Sequence, residues 1–289
     1  MDRKFWLILF LGVLYPPYMN AVPNVAGPIN VCNMWVGTMS DARWRFEASV
    51  IENALELSRK KYAPCSLRIH RNSISAFASN QLMLSGERLQ LQSTAFYPPD
   101  RAAYKKLHWM TNPYMSGVLG YRRLLTTKDK LPLFENIETL EDLKALSVGQ
   151  VANWADTKIY RDNGFKVVGS ANFDTIWKML TAGRFDYFPL GISEIDGVRQ
   201  QYLAQIPDLV VVPDIVLYYD FPIYVLVSPS HKELAERLRF GFEQMHESGL
   251  GDTLLRAQSI RHSFDPDDGN IRFFVIDGSD VPSLLNTPD

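Results

Sequence analysis

The residues of this chain best suited to hold another molecule are arginines, acids and aromatics near the ends of short apolar runs. Trp35, Tyr97, Tyr114 and Trp154 all fall at predicted strand ends or at a crossing between halves of the chain. There they are placed to sandwich an apolar or cationic moiety, although such rings also serve as core. Asn153 and Trp154 occupy a turn from strand to helix, where free N–H groups at a helix start favour an anion. Arg122 lies in an extended segment, so its neighbour Arg123 must face the opposite way. Asp156 sits in the first turn of a predicted helix, a place acids also take to oppose the helix dipole. Glu194 follows Phe188-Pro189-Leu190-Gly191 at the end of a predicted strand.

The familiar signatures of covalent or phosphate chemistry are missing. The sequence contains no GxxxxGK[ST], GxGxxG, HExxH or GxSxG. Asp265–Asn270 superficially resembles a calcium loop, but its glycine comes one residue early and a turn fits better. The five histidines are scattered, none at ligand spacing beside the cysteines. No metal and no cofactor is implied. A formal net charge of −2 with no basic run leaves no electrostatic footprint for nucleic acid.

The elements that must position these side chains read as two similar α/β halves. From Thr139 to Gly197 short apolar runs alternate with amphipathic helical patterns. Thr139 caps a helix with Leu140, Leu143 and Leu146 on its apolar face. Ser147–Val151 is a strand, Ala155 to Gly164 a helix, and Phe165–Gly169 the next strand. Asn172 caps a helix carrying Phe173, Ile176, Trp177 and Leu180, and Phe185–Leu190 is a third strand. Strand and helix alternating at this spacing predict parallel strands with right-handed crossovers and a ligand crevice beyond their carboxyl ends. Upstream, Pro28–Trp35, Cys65–His70 and Arg88–Ala95 read as strands separated by helices over Asp41–Tyr62 and Ile74–Leu84. Ser230 with Glu233 suggests a capping box that opens a last long helix.

At the amino terminus, Asp2-Arg3-Lys4 precedes an apolar run from Phe5 to Tyr15 and then Pro16-Pro17. This pattern reads as a signal peptide over residues 1–23, implying export to the periplasm; an uncleaved anchor or buried helix is the alternative. In an oxidising compartment Cys32 and Cys65 are disulfide candidates, the alternative being two buried thiols.

The segments LEDLKALSVGQ, WADTKIYRDNGFKVV and MLTAGRFDYFPLGISE resemble the second lobe of bacterial extracytoplasmic solute-binding proteins with the type II periplasmic binding protein fold. The branch is similar to the family 3 amino-acid receptors, and the resemblance extends over most of the chain after about Pro28. It implies two βαβ lobes joined by a hinge, with residues 24–114 plus 215–289 in the first and 115–214 in the second. A monomer would then capture a small polar solute in the interlobe cleft for an inner-membrane ABC transporter. A sensor for a membrane signalling partner and a dehydratase-type enzyme are the alternatives. By the same resemblance Arg101 would fork onto a ligand carboxylate; the alternative is a surface arginine paired with Asp100. The place where such receptors carry an ammonium-binding aspartate falls at about Gly191, leaving Glu194 or Asp156 to take that role.

Overall fold

A computed structural model of the chain describes residues 30–37, 40–72, 74, 76–95, 105–111, 118–152, 154–221, 223–256 and 269–276. The expected signal peptide, most of the Asp265–Asn270 turn and residues 112–117 of the first crossing between lobes fall outside these residues.

The first half begins with β1 (Val31–Trp35), α1 (Asp41–Leu57), β2 (Ser66–His70), α2 (Ala76–Ser85) and β3 (Leu91–Ala95). Ser40 caps α1, its hydroxyl accepting from the Arg43 amide at 3.4 Å. Ala48, Ile51 and Leu55 are buried along one stripe, as the helical spacing requires, while Trp44 is half-buried. β1 pairs in parallel with β2 and with β3. Cys32 and Cys65 form a disulfide that ties β1 to the start of β2 across 33 residues. Closing a loop of that length stabilises by roughly 3–4 kcal/mol in the chain-entropy treatment.

β4 (His108–Thr111) precedes β5 (Tyr121–Thr127), and a short 3₁₀ stretch leads to α3 (Leu140–Ala145). Thr139 and Asp142 form a reciprocal capping box on α3. Then follow β6 (Ser147–Val151), α4 (Ala155–Asp162), β7 (Lys166–Ser170), α5 (Phe173–Thr181), β8 (Phe188–Gly191) and α6 (Ile195–Tyr202). β6 and β7 pair in parallel, as the alternation predicts. The third strand behaves differently. Its first part lies parallel beside β6, bridging Val148 to Tyr187, with the Gly149 amide donating to the Tyr187 carbonyl at 2.8 Å and the Asp186 amide to the Ser147 carbonyl at 2.9 Å, while β8 itself pairs antiparallel with β5.

The chain closes with β9 (Leu209–Val211), β10 (Ile215–Tyr218), β11 (Ile223–Val227), α7 (Lys232–Glu247), α8 (Leu250–Arg256) and β12 (Arg272–Val275). Two five-stranded sheets result. One runs β2-β1-β3-β11-β4; the other runs β12-β10-β5-β8 with β9 also on β5. The chain returns to the first sheet through β11 alone, which inserts antiparallel between β3 and β4. β9, β10 and β12 stay with the second sheet, since one edge of β10 is taken by β5 and the other accepts β12 in parallel. β11 is buried at every residue, which matches its unbroken apolar run. The capping box expected at Ser230 and Glu233 does not form. His231 is the N-cap residue of α7 without a side-chain bond, because the Ser230 hydroxyl is engaged by Ser228 and His231 Nδ1, both at 2.9 Å.

The two crossings meet at Gly120 and Tyr219. A Cβ on Gly120 would lie 2.3 Å from the Tyr219 carbonyl oxygen and 2.7 Å from the Tyr218 ring. Only glycine allows so close an approach, and it brings β5 and the segment after β10 side by side.

Candidate functional site

The region where the chain passes between its sheets gathers charges from elements far apart in sequence. Arg122, in β5, is 4% exposed, and its guanidinium lies 2.9 Å from the Asp156 carboxylate at the start of α4. The Tyr219 hydroxyl, from the return crossing, donates a short hydrogen bond to the same Asp156 oxygen. The guanidinium packs over two rings, 5.1 Å from the centroid of Tyr219 and 4.6 Å from that of Phe221. Arginine suits this place because its flat, weakly hydrated cation stacks on rings while pairing at its edge.

Burial opposes the charge on Arg122, but Asp156, Tyr219 and Glu194 outweigh it and keep the guanidinium more firmly protonated than usual. The Tyr219 phenol is pushed well above its ordinary range, chiefly by burial, with Asp156 adding to the rise. Nε and Nη2 of Arg122 have no hydrogen-bond partner, although Nη2 makes the ion pair.

Glu194 is the second centre. It is the N-cap residue of α6 and is 7% exposed. Burial raises its carboxyl above the ordinary value, while Arg43, Arg122 and a hydrogen bond from Ser40 pull the other way. The Ser40 hydroxyl donates to Glu194 Oε1 at 3.2 Å, joining the start of α1 to the end of β8. Arg43 is also paired with Glu47 at 2.8 Å. The absence of a side chain at Gly191, where the resemblance expects an acid, has a steric reason. A Cβ there would come within 2.8 Å of Glu194 Oε2 and 3.0 Å of Leu119 Cδ2, so both side-chain ends would have to shift to admit it. Gly191 makes room for Glu194 to fold back over the strand end.

Of the residues singled out from sequence, Arg122 and Asp156 are in contact and Glu194 acts on both electrostatically. Arg122 is buried while Arg123 is half-buried, the one residue of β5 that is not buried. Trp154 packs elsewhere, with ring centroids 5.8 Å from Phe173 and 6.1 Å from Phe188, part of the cluster under α5 and α6. Trp35 donates its indole N–H to the Asn72 carbonyl at 2.9 Å and packs beside Met83 and Leu89. Tyr97, Arg101, Tyr114 and Asn153 lie outside the described residues.

Sequence reasoning missed Ser40, Arg43, Glu47, Tyr219 and Phe221. The Arg43–Glu47 spacing of four in a helix was the available signal, although Glu47 is fully buried beside Val50 and Ala54 rather than on a solvent face. Nothing local marked Tyr219 or Phe221, whose partners are 63 and 99 residues away by chain number.

Neither a protein-family model nor a curated protein matches the chain. Solved structures match it in fold. The chain has the type II periplasmic binding protein fold. An amino acid ABC transporter substrate-binding protein from Streptococcus pneumoniae, bound to L-arginine, superposes with a TM-score of 0.54 at 16% identity. The match covers 81% of this chain and 96% of that one. A histidine kinase sensor domain similar to periplasmic binding proteins gives 0.57 at 12% identity, covering 80% and 97%. An ancestral amino-acid-binding protein, a precursor of cyclohexadienyl dehydratase, gives 0.53 at 16%, covering 79% and 95%.

Proposed function

We propose that the chain is an exported, periplasmic solute-binding protein that works as a monomer. Between its lobes it would capture a small polar solute, amino-acid-like or another small carboxylate, and deliver it to an inner-membrane ABC transporter. The observation that carries this reading is the convergence of Arg43, Arg122, Asp156 and Glu194 from four separate elements where the two sheets meet. A closing two-lobed cleft excludes water, and in low dielectric each fixed charge discriminates strongly between solutes. Arg101 supplies the fork onto a solute carboxylate, since a planar guanidinium binds both oxygens at once. Tyr97 and Tyr114 supply the apolar walls, and Asn153 with the start of α4 supplies donors. Arg122 and Asp156 form a charged floor held in place by Tyr219. Asp156 and Glu194 are committed to protein partners, which favours a solute whose recognition rests on its anionic end.

The test is native mass spectrometry of freshly purified protein followed by a thermal-shift screen of amino acids, small acids and amines. A solute at about 100 times its Kd should add roughly 2.7 kcal/mol of stability. A screen in which no solute stabilises the fold overturns the reading.

A sensor role is the second reading, favoured by the superposition on a histidine kinase sensor domain. Solute uptake in cells lacking the protein separates the two: lost uptake supports transport, and intact uptake with a lost transcriptional response supports sensing. The likeness to a dehydratase precursor is addressed by turnover. Product formed at catalytic protein concentrations would replace binding with catalysis.

A further inference from the structure

We propose that Ser40, Arg43 and Glu194 form an interlobe latch, holding the cleft shut through the protein's own side chains. Ser40 stands between β1 and α1 in the first sheet's half of the chain, and Glu194 directly follows β8 in the second sheet's half. The bond between them, 3.2 Å from hydroxyl to carboxylate, spans 154 residues of sequence. Ser40 performs two tasks with one hydroxyl. Its oxygen accepts from the Arg43 amide at 3.4 Å as helix cap, and its proton is directed to Glu194. The cap fixes the hydroxyl, so the latch meets Glu194 with a donor that is already oriented.

Arg43 adds the charge. It pairs with Glu47 on its own helix at 2.8 Å and also acts electrostatically on Glu194. Glu194 in turn also feels Arg122, which Asp156 and Tyr219 hold at the crossing. One carboxylate therefore reports to both the cleft mouth and the hinge. A side chain at Gly191 would press on its present position, with a Cβ 2.8 Å from Oε2. Opening the lobes removes the Ser40 bond and takes Glu194 away from Arg43, so closure carries a favourable term independent of any solute. This goes beyond the proposed function and does not depend on which solute the cleft takes.

The test uses the full mature chain, unfolded in denaturant with its disulfide intact and refolded to remove any carried solute. Small-angle scattering then compares wild type, Ser40→Asp and Arg43→Met. Aspartate keeps a good helix cap but sets a carboxylate against Glu194, so a folded Ser40→Asp protein isolates the latch from the helix. We expect the wild type to scatter as the structure does. Ser40→Asp and Arg43→Met should both raise the radius of gyration, and the double variant should raise it by less than the sum. Circular dichroism confirms that each variant is folded; should Arg43→Met fail to fold, Ser40→Asp alone decides. A wild type already more extended than the structure, or a folded Ser40→Asp with an unchanged radius, overturns the latch. Solute affinity is not read in this experiment, so its failure leaves the binding proposal to its own test.

Discussion

Two polar clusters in this molecule contain a basic residue, an acid and hydroxyl donors, yet they differ in completeness. Within the second lobe, Asp186 accepts from the Ser147 amide at 2.8 Å and the Ser147 hydroxyl at 2.6 Å, and pairs with Lys130 at 3.3 Å. Lys130 also donates to the Phe185 carbonyl. Every one of these partners lies on elements that pack together in one lobe, and the cluster fastens the start of β6 to the segment before β8. The cluster around Arg122 draws on elements of both sheets, and leaves Arg122 Nε and Glu47 Oε2 buried without hydrogen-bond partners. A fully paired group of charges fixes a fold. An incompletely paired one, placed where two bodies meet, costs stability and is tolerated where recognition needs it.

The comparison is broken most directly by removing one charge from the cleft. Arg122→Ala strands Asp156 in the interior and should destabilise by about 3–5 kcal/mol in denaturant unfolding. A loss below about 1 kcal/mol would show that Asp156 rehydrates freely and that the cluster is not buried in solution. Tyr219→Phe removes one donor from the same acid and should cost about 1–3 kcal/mol. It should also weaken solute binding in calorimetry, whereas a structural bond alone would lower stability without changing affinity. Asp186→Asn, in the paired cluster, should cost about 1 kcal/mol and leave solute affinity unchanged.

The acids sharpen the contrast through opposite responses to pH. Burial raises the Asp186 carboxyl, but the Ser147 bonds and Lys130 overcome this and depress it below its ordinary value of 3.8. Its stabilisation is present above the unfolded value and is lost as pH falls through the lower folded one. Glu194 is raised above 4.5, mainly by burial. Its contribution is full below the unfolded value and is lost as pH rises through the higher folded one. Stability measured against pH should therefore lose its acid-side slope in Asp186→Asn and its slope above about pH 4.5 in Glu194→Gln. The same slopes in both variants would contradict the assignment. These are the smallest effects expected.

Much of the fold could be read from the chain because its signals are local. Asn172 caps α5 by accepting from the Thr175 amide at 2.8 Å, and Thr139 caps α3, both as their residue types suggest. Val148 and Leu143 are buried where periodicity puts core. What could not be read depends on pairing over distance. Nothing in Ile215–Tyr218 states that its partners are β5 and β12 rather than the first sheet, since a short apolar strand fits either. The spacing of Ser230 and Glu233 suggested a capping box, but a neighbouring histidine and serine compete for the same hydroxyl. The site followed this rule too. Arg122, Asp156 and Glu194 stood out by type and position, while Ser40, Arg43 and Tyr219 were hidden because their roles exist only after the lobes meet.

The central claim is that the interlobe region binds a small solute through charge. Isothermal calorimetry of the best stabilising solute against wild type and Arg101→Ala tests it most directly. A defined one-to-one affinity in the wild type, weakened at least a hundredfold by the substitution, is the predicted result, a loss of roughly 2.7 kcal/mol. Equal affinity in the two proteins, or no saturable binding in either, would contradict the account.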